Sequence, residues 1–300
     1  MKFLSAWIAQ FLLGDNFVLM ALMFALVGVA EFVRPARKAP IRHYRFNIAY
    51  ALVTTLLAAL LAPPVNAAIA FAVQTLPGTG LIDLTALGFG GVRGAVAAML
   101  LSAVIFDFFF YWFHRLEHAS PVFWQQHLLH HSDEYMTVTT AGRGHFLEIF
   151  LIPTFVTLPM AILFKLPPVT IGVLSLVPFA WLYFVHANIR LGFGPLWWLL
   201  VSPDYHRIHH SLEPQHLDQN LANWFPVWDI LFGTAWRPRP GENPATGVAG
   251  VTVASIVEAY LLPFVGWTRM IQAQLGHAPG PPQPLARPAR TPARKRLKRR

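Results

Sequence analysis

The chain has 300 residues, 55% hydrophobic and only 12% charged, with a mean hydropathy of +0.47. Soluble domains carry about 25% charged residues, so an ordinary water-soluble globule is excluded. The formal charge is +9 with no cysteine, and that absence removes disulfides and thiolate metal sites together.

A membrane span needs about 20 apolar residues. The first predicted span runs from Phe17 to Val33. It does not read as a cleaved signal, because only Lys2 is basic before it and Asp15 follows. Arg34, Arg37, Lys38, Arg42 and Arg45 crowd the next loop and assign it to the cytoplasm. A second apolar stretch runs from Phe46 to about Leu76 and is interrupted by Pro63 and Pro64, which predicts a kink or a re-entrant piece. A third span, Ala95 to Phe113, leads into His114. A fourth, Phe146 to Phe164, starts beside His145, and a fifth, Val169 to Val185, ends at His186. Tyr111, Trp112, Trp197, Trp198, Trp224 and Trp228 read as an interfacial aromatic belt. The stretch from Val248 to Trp267 holds Glu258 and Pro263 and reads as an interfacial helix. Beyond Gly276 the chain is rich in Pro and Ala, with eight basic residues and no acid from Arg287 to Arg300. Such a tail is expected to be disordered. It marks the cytoplasmic side and anionic lipid; no nucleic-acid partner is expected.

Three histidine strings dominate the chemistry. They are H-x-x-x-H at His114 and His118, H-x-x-H-H at His127, His130 and His131, and H-x-x-H-H at His206, His209 and His210. Neutral imidazole is the commonest metal ligand. Positions i, i+3 and i+4 share one helix face, so each string can aim two or three rings at one point. One ion takes about four to six ligands, so eight histidines suit two ions. His145 and His186 sit at the same depth and join them as candidates. His43 and His216 lack helical partners at ligand spacing; His216 is placed near the site and His277 in the tail.

An all-histidine pair of ions at a membrane surface suits redox iron better than structural zinc, which usually takes cysteine. Two irons can bind O2 and take up two electrons to oxidise an unactivated C–H bond. A lipid entering from the bilayer fits the dry pocket that such chemistry needs. Ligating histidines usually donate their second N–H to a carboxylate or carbonyl. Asp107, Glu148, Asp204 and Asp218 are the candidates for that role, while Glu117 and Asp133 read as solvated.

The strings FHRLEH, HLLHH, GHFLE, FVHANI and SPDYHRIHH, then Asp218 to Asn220 and WDILFGT, resemble the fatty acid hydroxylase / sterol desaturase superfamily over about residues 107 to 234. The resemblance implies an integral membrane, non-haem di-iron oxygenase that hydroxylates or desaturates a lipid with O2. It implies that the eight clustered histidines hold the metal, with His145 and His186 as further family histidines. Two positions depart from the pattern: Phe146 where many relatives have Pro, and Arg190 where some fatty acid hydroxylases have another ligand.

The expected fold is therefore all-α, an integral membrane bundle of about four transmembrane helices with a cytoplasmic histidine-rich di-metal cap. The expected divisions are an N-terminal transmembrane region (1–94), a di-iron catalytic domain (95–236), an amphipathic interfacial segment (237–275) and a basic tail (276–300). The active site and C-terminus are expected in the cytoplasm, at the inner membrane for a bacterial source. Electrons should come from a separate reductase or donor protein, since no nucleotide-binding glycine loop or haem motif stands out. The substrate stays open among acyl chain, sterol-like lipid, ether lipid and carotenoid. Two rivals are a histidine-rich metal transporter and a zinc-dependent membrane hydrolase. The first predicts ionisable residues in mid-membrane and the second an H-E-x-x-H motif. The span interiors are nearly free of the former, and the latter is missing.

Overall fold

The computed structural model describes residues 15–88, 91–166 and 180–276. It is mostly helical. Helix α1 covers Asp15–Val33, α2 Ile41–Thr75 and α3 Gly91–Ala119. Helix α4 covers Pro121–His131 and α5 Glu148–Leu163, with a π turn at Pro153–Thr157. Helices α6 (Pro203–His209), α7 (Val227–Phe232) and α8 (Ile256–Gln274) follow. One short parallel pairing joins Ile82–Asp83 to Phe164–Lys165.

Among the described residues, two helices are long and apolar enough to cross a membrane: α2, and Arg93–Ala119 of α3. Most of the predicted fifth span lies outside the described residues, although 180–186 are helical, and so does the tail beyond 276. Helix α2 runs unbroken through Pro63 and Pro64 for 35 residues, where an interruption was expected. Each proline forfeits a hydrogen-bond donor; the flanking Ala and Leu residues are strong helix formers and carry the helix through.

Helix α8 starts later than the predicted Val248. Ser255 caps it by accepting the Glu258 N–H at 3.1 Å, and the Glu258 carboxylate accepts the Ala254 N–H at 2.8 Å. Gly266 lets α8 cross α4 closely, since a Cβ there would stand 2.0 Å from Gln125 Oε1. Tyr50 of α2, Leu129 of α4 and Ala259 of α8 form the buried contact where these helices meet. Val257, Leu261 and Ile271 of α8 face outward.

A buried carboxylate ties α1 to the segments around Val138 and Asn188. Glu31 accepts the N–H groups of Val138 at 2.7 Å and Asn188 at 2.8 Å, and the Tyr44 hydroxyl. The basic loop docks beside it, with Ala36 N–H on the Asn188 carbonyl at 2.6 Å. The two segments that follow His131 and His186 are thus anchored to one helix, α1.

Candidate metal centre

Helix ends deliver the histidines. His114 and His118 occupy the last turns of α3, one above the other at i and i+4. Ser120 and Pro121 restart the chain as α4, with proline at the first helical position where its missing N–H costs nothing. Its last two turns carry His127, His130 and His131. Helix α6 also opens on proline, and the Ser202 hydroxyl accepts the Tyr205 N–H at 3.2 Å. It carries His206 and His209, with His210 at its C-cap.

The rings sort into two buried groups. His114, His118, His127, His131 and His209 form one; His130, His186, His206 and His210 form the other. Within each group the candidate ligand atoms lie within 4.8 Å of one another. In the five-histidine group the Nε2 atoms of His114–His127, His127–His131 and His131–His118 stand 3.1 Å apart. In the four-histidine group His130–His186 and His186–His206 are 3.0 Å apart, and His206–His210 3.2 Å. Each H-x-x-H-H string is divided between the groups, so no string aims all three rings at one point. Its i and i+4 members stay together, while i+3 points about 100° away from i+4 and reaches the other group. His130 therefore joins the α6 pair, and His209 joins the α4 pair.

The donor set fits two metal ions. Two nitrogens that share one ion at about 2.1 Å can stand no more than about 4.2 Å apart, and the neighbouring rings, at 3.0 to 3.2 Å, meet that limit. Burial pushes the imidazoles of His130, His131, His206 and His210 well below their ordinary range, and that of His186 down to about 4. Neutral rings with free lone pairs are the ligating form. The tautomers agree. The Nδ1–H groups donate outward, from His114 to the Leu221 carbonyl at 2.7 Å, from His209 to Gln219 at 3.0 Å and from His186 to Leu182 at 2.7 Å. That direction leaves the other ring nitrogen facing the centre.

The remaining candidates fall in several places. His186 belongs to the four-histidine group. His145 stands outside both groups: Nε2–H donates to the Tyr260 carbonyl at 3.2 Å, and Nδ1 accepts the Leu147 N–H at 3.3 Å. Asp218 lies 3.5 Å from His118 Nδ1. Asp107 accepts the N–H groups of Trp224 at 3.0 Å and Phe225 at 2.9 Å, so it holds a loop and not a ring. Asp204 pairs with Arg190 at 3.1 Å. Glu148 shares a pocket with Glu117 and His127.

Glu117 and Asp133 are buried, not solvated as their sequence context suggested. Glu117 lies 3.6 Å from His127 Nδ1 and accepts from Gln126. Burial opposes charge on Asp133, yet His43, Arg143, Thr140 and Asn47 outweigh it and hold its carboxyl below the usual range. His216 is buried against Ser211 at 2.8 Å and Glu242 at 3.3 Å, away from both groups. Tyr111 and Trp224 are buried in the core, in contrast to the expected belt, whereas Trp112 and Trp198 are exposed. The Tyr111 hydroxyl binds Thr234 at 2.9 Å, and that internal partner replaces interfacial water. Residue patterns missed Arg143, whose guanidinium donates to Asn47 at 2.9 Å, Ser132 at 2.6 Å and Leu129 at 3.2 Å, bracing the end of α4. They also missed Asp229, a lone acid in an apolar string.

The fold and site define a mostly helical protein with two buried polyhistidine groups able to hold metal and two helices apolar enough to cross a membrane. Residues 99–234, which hold all nine grouped histidines, match the fatty acid hydroxylase family. Alkylglycerol monooxygenase of Xenopus tropicalis is 37% identical over 128 residues, covering 43% of this chain and 28% of that protein. Its Homo sapiens counterpart is 34% identical over the same shares. Ornithine lipid hydroxylase of Rhizobium tropici is 29% identical over 166 residues, 55% of this chain and 50% of that protein. The chain thus spans between 28% and 50% of the length of these relatives. No solved structure matches it.

Proposed function

We propose that the protein is a membrane-bound di-iron monooxygenase that hydroxylates a lipid, with desaturation as the lesser variant of the same chemistry. The carrying observation is the pair of buried all-histidine groups, one of them taking His114 and His118 from the end of a helix apolar enough to cross a membrane. The reaction balances as R–H + O2 + 2 electrons + 2 protons giving R–OH + H2O, and the electrons come from a separate donor protein. Two irons held by the nine histidines would supply the reduction of O2 and the oxidation of the C–H bond. The chain's own residues hold those rings neutral, fix their tautomers and keep bulk water away. Trp124 packs 5.3 Å from both His118 and His131, and Phe110 lies 5.9 Å from His114, so the groups have aromatic walls on the side of α3 and α4.

The relatives' names favour a polar-headed membrane lipid, either an alkylglycerol or an ornithine lipid. We place the groups on the cytoplasmic side of a bundle of about four spans, by the basic stretch Arg34–Arg45, whose Ala36 packs against Asn188 near His186. His145 we now assign to packing. The test is expression of the full chain with each lipid under 18O2. Products bearing one labelled hydroxyl, together with about two irons per chain, are expected. One zinc per chain under iron-replete expression, with no labelled lipid, would sink the reading.

A further inference from the structure

The two histidine groups differ in what holds their outer edges. Residues 218–221 contact three of the five rings in one group. The Leu221 carbonyl accepts from His114 Nδ1 at 2.7 Å, the Gln219 carbonyl from His209 Nδ1 at 3.0 Å, and Asp218 lies 3.5 Å from His118 Nδ1. His186, in the other group, uses a carbonyl of its own helix. The turn is not a relaxed one. Asp218 and Asn220 hold φ of 60° and 58°, a left-handed conformation that Asp and Asn tolerate better than other side chains but that still needs support.

Asp229 of α7 supplies much of that support. Its Oδ1 accepts the Leu221 N–H at 2.7 Å and the Thr234 hydroxyl at 2.6 Å. Its Oδ2 accepts the Ala222 N–H at 2.9 Å and the Tyr205 hydroxyl at 3.0 Å. Four donors use the capacity of one buried carboxylate. Leu221 is therefore gripped on both sides, its N–H by Asp229 and its carbonyl by His114. Asn220 fixes the neighbouring residue through Tyr205 and Trp236, and Asp107 holds Trp224 and Phe225 just beyond.

We propose that residues 218–221 are a clamp specific to the five-histidine group, and that Asp229 is the positioning residue that sets it. Building on the two-metal reading above, the inference adds a remote carboxylate that tunes one ion and spares the other.

The test is Co2+ titration of the purified full chain, counting bound metal. Wild type is expected to bind two ions. In Asp229→Asn, which keeps the volume but loses acceptor capacity, one site should weaken 10–100-fold, the range for outer partners of metal ligands. The other site should hold its affinity. Asp229→Asn combined with His206→Ala, which disables the four-histidine group, should leave no tight site. Asp107→Asn releases the far end of the same stretch and should give a smaller loss at the same site. Equal weakening of both sites, or of neither, overturns the clamp, as does failure of both Asp variants to fold without metal. Wild type binding fewer than two ions would instead strike the two-metal reading itself, and the inference with it.

Discussion

The five-histidine and four-histidine groups share α4 and α6 in different proportions and differ in what completes them. The first takes a pair from α3, a pair from α4 and a single ring from α6; the second takes a pair from α6, a single ring from α4 and His186. Each group thus borrows its odd member from the helix that supplies a pair to the other. Rings of the two groups touch, with His131 and His210 stacked at 4.3 Å. Neither group can close until α4 and α6 are docked, so the packing of these two helices assembles both groups. The difference lies at the edges. The five-histidine group is braced by carboxylates and a strained turn, the four-histidine group by the segment that carries His186.

The largest expected effect comes from the crossing ligands. His130→Ala should empty the four-histidine group, and His209→Ala the five-histidine group. Each should bring metal down to about one ion per chain and turnover below detection, while membrane insertion, which depends on the apolar helices, persists. Metal counting combined with a spectrum of the remaining ion checks the crossing. If His209→Ala and His206→Ala leave the same ion, the partition described here is wrong.

Removing the anchor on the His186 side should come next. Glu31→Ala leaves the buried N–H groups of Val138 and Asn188 without their acceptor. An orphaned buried donor costs about 1–3 kcal/mol. A loss of about 2–4 kcal/mol in unfolding free energy is expected, with the four-histidine group losing metal first. Chemical denaturation and metal retention on dilution measure the two halves of that statement.

A smaller effect belongs to the other group. Glu117 is buried beside His127 Nδ1 and accepts from Gln126. Glu117→Gln keeps the shape but replaces one carboxyl oxygen with an amide that cannot accept a hydrogen bond. About a tenfold weakening of the five-histidine group is expected, at the low end for such outer partners, with the four-histidine group unaffected. Metal affinity measured by competition with a chelator would detect it.

The residues that announce themselves in sequence are those whose spacing matches a helical period. The three strings stood out because i, i+3 and i+4 lie on one face. Their partition did not, because the direction taken by i+3 matters only once a second helix is docked. Outer partners were legible only as far as they are side chains: Asp218 was found, but the Gln219 and Leu221 carbonyls exist at every residue and carry no sequence mark. Asp229 hides for a related reason. It acts on backbone N–H groups eight and seven residues away, and an acid in W-D-I-L-F offers no ligand spacing. Of the spans, the third was legible almost to its ends, since α3 is apolar until the histidines begin. Pro63 and Pro64 left a kinked helix and a re-entrant piece both open, and the continuous helix Ile41–Thr75 removes the second.

His145 should have the smallest effect on the centres. It was a candidate ligand by depth, but depth alone does not fix direction. Its ring faces Tyr260 and Phe264 of α8, and both nitrogens are engaged by backbone groups. His145→Gln should therefore leave both ions bound and cost stability alone, about 1 kcal/mol near neutral pH for the altered hydrogen bonds. The acid range separates the variant further. Burial pushes the His145 imidazole down to about 4, from an unfolded value near 6.5. The folded state resists the proton that the unfolded chain takes up. The stability this group contributes is thus present above about pH 6.5 and is lost as pH falls toward 4. At about 1.4 kcal/mol per unit the full share is about 3 kcal/mol. His145→Gln lacks that titration, so the gap between wild type and variant should narrow or reverse as pH falls from 6.5 to 4. Unfolding curves of metal-free protein at several pH values in that window measure it. A gap that stays constant with pH, or an ion lost from the variant at neutral pH, would return His145 to the metal centre.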